Sequence, residues 1–179
     1  ALSLLMNMLV LSFWSGANAV MWASTTLQAQ VFWLNVSAIG AVLAPFTFLI
    51  FCLYISHNEH LVTRGVVFLL CLEPLASIIL TWTNDYHHLV YSQPQLWRTG
   101  GLAALKWSPG LALWADTAYA YLLVGVGIWF LIRALGQGGE LQRRQVRTIL
   151  IGAFLPLLAD LVYLSPLNSY MDGFDLTPV

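Results

Sequence analysis

Glu73, Ser77, Thr81 and Asn84 stand at i, i+4, i+8 and i+11 of a mostly apolar run, so a helix would carry them on one face. A carboxyl, two hydroxyls and an amide in one row can bind a cation, pass a proton or hydrogen-bond a small polar ligand. Asp116 and Tyr119 share a face in a later segment, and Pro156, Asp160 and Tyr163 share one in the segment after that. Asn18 and Trp22 do the same near the start of the chain, with Trp14 one turn deeper. Glu73 is the deepest of these groups and the others lie in the outer halves of their segments, so the expected arrangement is a cup lined with acids and aromatics. Trp82, His87 and Trp107 would stand at its rim. Desolvation disfavours a charged carboxyl, so Glu73 is expected to be protonated unless a cation pairs with it. Its structural alternative is a hydrogen bond to a neighbouring helix that holds the bundle together. Pro74 donates no backbone hydrogen bond and frees the carbonyl of Leu70, and Pro156 does the same for Gly152. Freed carbonyls are places where a helix bends or accepts a ligand.

Other chemistries fit the sequence less well. His87 and His88 beside Asp85 have metal-ligand side chains, but adjacent residues on a strand face opposite ways, so no metal is assigned. No histidine falls within an apolar segment, no Ser–His or HExxH pattern occurs, and Glu73 and Asp160 sit at different depths, so no catalytic role is expected. The single lysine, Lys106, falls in a loop, which argues against a retinal-type receptor. Nothing in the sequence calls for a cofactor.

These groups need elements to hold them, and composition says which kind. The chain of 179 residues is 59% hydrophobic and 8% charged, with a mean hydropathy of +0.76. Soluble domains carry about 25% charged residues, so a water-soluble fold is excluded. The net charge of -1 offers no basic field for nucleic acid. Cys52 and Cys71 both lie in apolar segments and read as small buried residues.

A bilayer core of about 30 Å takes roughly 20 apolar residues per helix. Five segments qualify: about Leu2–Trp22, Leu27–Ser56, Arg64–Asn84, Pro109–Leu135 and Gln145–Leu164. The fold class is therefore an all-α membrane protein, a polytopic helical bundle forming a single domain over 1–179. Pro45 predicts a kink in the second span. "HHLVYS" and "LAALKW", separated by Pro94 and Gly100-Gly101, can pair as a short hairpin within the 85–108 loop. "SPG" at Ser108–Gly110 predicts the start of the fourth span, with Ser as cap and Pro first in the helix. Arg64, Arg133, Arg143, Arg144 and Arg147 fall on one side of the bundle, against Arg98 and Lys106 on the other. By the positive-inside rule the loops at 57–63 and 136–144 are cytoplasmic and the loop at 85–108 is extracytoplasmic, in a multi-pass cell-membrane protein.

"LEP" in the third span, "TNDYHHLVYS" after it, "SPGLALWADTAYAYLL" opening the fourth and "GFDLTPV" at the end together resemble one family. It is the seven-helix N-terminal sensor region of bacterial and archaeal histidine kinases, also found ahead of diguanylate cyclase domains. The resemblance implies that the five spans correspond to helices two to six of seven. The first would then precede Ala1 and the seventh would begin at Thr177-Pro178. It also implies an outside N-terminus and a cytoplasmic kinase or cyclase output domain, matching the orientation from charge.

The expected function is a membrane-embedded receptor that binds a small extracytoplasmic ligand and signals by helix rearrangement. The pocket candidates are Glu73, Asn84, Asp116, Tyr119, Asp160 and Tyr163, with Trp82, His87 and Trp107 at the rim. The partners are the lipid bilayer, that ligand and the output domain, and a homodimer is compatible with such a module. The rival is a transporter or an ion or proton pathway using the buried acids. Below Glu73, however, the third span offers Leu70, Leu69 and Val66, which closes the cup at its base.

Overall fold

The computed structural model describes residues 2–99, 102–137, 139–140 and 143–153. Four helices among them are long and apolar enough to cross a membrane: α1 (Leu2–Ala23), α2 (Leu27–Ile55), α3 (Arg64–Trp82) and α5, whose apolar part is Leu111–Gly136. A short helical turn, α4 (Asn84–His87), follows α3, and α5 runs to Gln137. Residues 143–153 are helical and cover the start of the expected fifth span. Its remainder, with Pro156, Asp160, Tyr163 and the helix start at Thr177, lies outside the described residues.

Local chemistry sets the helix boundaries. Thr26 and Thr63 accept hydrogen bonds from the N–H groups of Ala29 and Val66, capping α2 and α3. α2 runs uninterrupted through Pro45, and its 29 residues reach about 43 Å at 1.5 Å per residue. That exceeds the bilayer core of about 30 Å, so α2 is long enough to span it with some tilt.

α2 is the hub, packing against α1, α3 and α5. Half of its most apolar stretch is buried (50%), against 17% in α1, 28% in α5 and 11% in α3. Lipid tails are as apolar as leucine, so close packing and interhelical hydrogen bonds hold such helices together. Both devices are present. Gly40 lets α2 approach the Trp14 backbone of α1 so closely that a Cβ there would fall 2.6 Å from Trp14 Cβ. Buried Thr47 donates from Oγ1 to Asn7 Oδ1 at 3.0 Å across the same interface. At the end opposite α4, Phe51, Cys52, Leu131, Ala134 and Val146 form an apolar cluster joining α2, α5 and the 143–153 helix. Phe68, Leu72, Leu75 and Ile79 leave one face of α3 open, as a lipid-facing surface requires.

The hairpin differs from the expected one. β1 (Tyr91–Thr99) pairs antiparallel with β2 (Leu102–Pro109), so its first strand is "YSQPQLWRT" and the two histidines precede it. Pro94 lies inside β1, where the register shifts between Ser92 and Gln95 and Gln93 takes a positive φ of 53°. A proline has no donor for the ladder, and a bulge removes the need for one. The start of α5 also departs from expectation. Ser108 pairs with Ser92 in the sheet and Pro109 ends β2, so neither caps the helix. The N–H groups of Gly110 and Ala112 donate instead to the carbonyls of Val90 and Leu89, at 2.8 and 2.9 Å. Backbone acceptors from the preceding loop satisfy donors that a serine cap would otherwise serve.

Candidate functional site

The polar row on α3 is present and internally bonded. Ser77 Oγ donates to Glu73 Oε1 at 2.9 Å, and Thr81 Oγ1 donates to the carbonyl of Ser77 at 2.8 Å. The second carboxyl oxygen of Glu73 is buried and meets no donor among the described residues. Asp116, on α5, lies near enough to act electrostatically on the same carboxyl. Two acids near one another disfavour each other's charge, an arrangement that suits a shared cation.

Tyr119 lies one turn further along α5, and its hydroxyl donates to the carbonyl of Leu70 at 2.9 Å. That carbonyl is the one Pro74 leaves without an intrahelical donor. The proline gap in α3 is thus filled from α5, and the contact sits beside the Glu73 carboxyl. Glu73, Asp116 and Tyr119 therefore come together as one cluster at the α3–α5 seam.

Other expected pocket residues do structural work. α3 ends at Trp82, so Asn84 lies past its end, 1% exposed. Its Nδ2 donates to the carbonyl of Tyr91 at 2.8 Å, and its Oδ1 accepts from the N–H groups of Val90 and Tyr91. The amide thereby fixes the root of the hairpin. His87 closes the turn before it: Leu89 N–H donates to Nδ1 at 3.0 Å, which leaves Nε2–H for Thr83 Oγ1 at 3.2 Å. Trp82 is 47% exposed and packs edge-on against Phe32 of α2. Trp107 packs edge-on against Tyr91, whose hydroxyl donates to Asn35 of α2 at 2.9 Å. Burial pushes the Tyr91 phenol up from its ordinary value. Asp160 and Tyr163 lie outside the described residues.

A second feature escaped the sequence reading. A cavity of about 50 Å³ lies between α1, α2 and β2, with Asn18, Trp22, Gln30 and Trp107 among its walls. Gln30 is 1% exposed and bridges the carbonyls of Ser24 and Ala103 through Nε2, at 2.8 and 2.7 Å. The available signal was a glutamine in the first turn of an otherwise apolar span, which burial forces to find partners.

The model of the family described as the N-terminal 7TM region of histidine kinase matches residues 1–179, the whole chain. The chain belongs to that family. It is accordingly a membrane sensor region of the histidine-kinase type, in keeping with its four long apolar helices. No curated protein and no solved structure matches it.

Proposed function

We propose that this sensor region takes up a small extracytoplasmic ligand at the α3–α5 seam and passes the signal to a cytoplasmic histidine kinase or diguanylate cyclase domain by shifting those helices. The observation that carries the reading is the Tyr119–Leu70 bond that ties α5 to α3 next to the Glu73 carboxyl, whose second oxygen is buried without a donor among the described residues. It joins two helices through groups whose bonding changes when a ligand or proton arrives. Asp160 and Tyr163 belong to the proposed site on sequence grounds. An acidic lining suits a cation, an amine or a polyol. The hairpin end faces outward in this reading, because the arginine-rich ends of α3 and α5 favour the cytoplasm. A ligand moves such a bundle only through a difference in affinity between two states. About 1 kcal/mol suffices for a severalfold change in population.

The test is a thermal-shift screen of the intact protein in nanodiscs against cations, amines and polyols. A ligand at 100 times its dissociation constant stabilises the folded state by about 2.7 kcal/mol. The shift should vanish in Asp116→Asn and Glu73→Gln while unliganded stability stays near that of the parent. Broad pools without a hit, together with proton leak in liposomes that Glu73→Gln stops, would replace the receptor by an ion pathway.

A further inference from the structure

α5 turns two unlike faces to its surroundings. Toward α2, Gly127 is packed so tightly that a Cβ there would fall 3.1 Å from both Cys52 Sγ and Phe48 Cε1. Two residues earlier, about 200° round the helix, a Cβ on Gly125 would meet nothing within 4 Å. Leu122, Val126, Trp129 and Arg133 stand on that open side at i, i+4, i+7 and i+11, and all four are exposed. The apolar part of α5, Leu111–Gly136, is about 39 Å long against a bilayer core of about 30 Å, so Arg133 stands at the core boundary. Its guanidinium carbon lies over the Trp129 ring, 5.7 Å from the centroid, and meets no carboxylate among the described residues. A charge held there without a counter-ion is costly, and lipid phosphates are the anions at that depth. Arg143, Arg144 and Arg147 follow, and the only acid between Arg133 and Arg147 is Glu140, itself paired with Arg144 at 3.2 Å. The field at this end of the bundle therefore favours an anion.

We infer that this face of α5 binds an anionic phospholipid, its phosphate on the Arg133 guanidinium and one acyl chain along Trp129, Val126 and Leu122 past Gly125. The net negative headgroup follows from the surplus of arginines, which disfavours the cationic amine of a zwitterionic lipid. The acyl chain follows from length. From Arg133 to Leu122 is about 16 Å of helix, close to the roughly 15 Å of core in one leaflet. None of these residues belongs to the Glu73–Tyr119 cluster, so the lipid site and the proposed ligand site are separate.

The experiment is fluorine NMR of the intact protein in phosphatidylcholine nanodiscs, with 5-fluorotryptophan at all eight tryptophans. Trp129→Phe assigns the signal of interest. Stepwise replacement of phosphatidylcholine by phosphatidylglycerol should move that signal saturably. Arg133→Gln should raise the half-saturating fraction roughly fivefold, the increment one arginine contributes at an anionic surface. Gly125→Leu, whose side chain enters open space, should also weaken binding without lowering thermal stability. Arg64→Gln, at the same end of the bundle on α3, should leave the titration unchanged. A linear drift, an unaltered titration in Arg133→Gln, or an equal shift from inorganic phosphate in pure phosphatidylcholine would overturn the site. So would a Trp129 signal indifferent to lipid because a second copy covers it, read as a dimer mass that Gly125→Leu halves.

Discussion

The packing of α2 on α1 and the hairpin differs from the seam between α3 and α5. Toward α1 and the hairpin, contacts are close and polar side chains hold fixed partners: Gly40 against Trp14, Thr47 on Asn7, Gln30 on Ser24 and Ala103, and Asn84 on Val90 and Tyr91. At the α3–α5 seam, where α3 is the least buried of the four long helices (11%), the inter-helix polar contact is one hydroxyl on a proline-freed carbonyl, beside the Glu73 carboxyl. Interfaces of the first kind have one good arrangement. Interfaces of the second kind can exchange partners at low cost, which is what a switching element needs. In the proposed function the first region is the frame and the second is the moving part.

The harshest test of the frame is Gly40→Val. Its Cβ would fall 2.6 Å from Trp14 Cβ and 2.8 Å from Trp14 Cα, so the helices must part. We expect a loss of about 3 kcal/mol in thermal unfolding in nanodiscs, the upper end for overpacking. Gly125→Ala, where a Cβ meets nothing within 4 Å, should stay within about 1 kcal/mol of the parent. Similar values for the two would erase the distinction. Asn84→Ala comes next. It strips buried hairpin groups of their partner and should cost about 2 kcal/mol, with faster amide exchange at Val90 and Tyr91. Protection unchanged at those amides would remove Asn84 from the frame. Tyr119→Phe tests the moving part. Leaving the Leu70 carbonyl bare should cost about 1 kcal/mol and shift the balance of signalling states measured as output activity of the intact protein. A stability loss with no change in output would make the seam structural. The smallest effect is expected of Thr47→Val, about 0.6 kcal/mol, with output unaffected.

Much of this was readable in advance for identifiable reasons. Pro74 announced an unpaired carbonyl at Leu70, because the missing N–H is a covalent fact. Which donor would fill the gap was not readable, since Tyr119 reaches it only by the packing of α5 on α3. The row Glu73–Ser77–Thr81 followed from helical spacing. Asn84 falls outside that row because α3 ends at Trp82, and its amide bonds the hairpin backbone. Ser108-Pro109 looked like a cap because the local motif fits one. Strand pairing with Ser92 and Tyr91 took both residues instead.

The sequence alone determined the bilayer as solvent, the four long helices and the acids among them. Hydropathy and length suffice there, because a backbone in lipid must satisfy its own hydrogen bonds within a helix or a closed barrel. Tertiary structure decided which of those polar groups meet one another. Tyr119 reaches the Leu70 carbonyl beside Glu73, Asn84 belongs to the hairpin, and Gln30 bridges the carbonyls of Ser24 and Ala103. Such partnerships depend on the rotation and depth at which helices pack, and local periodicity carries no record of either.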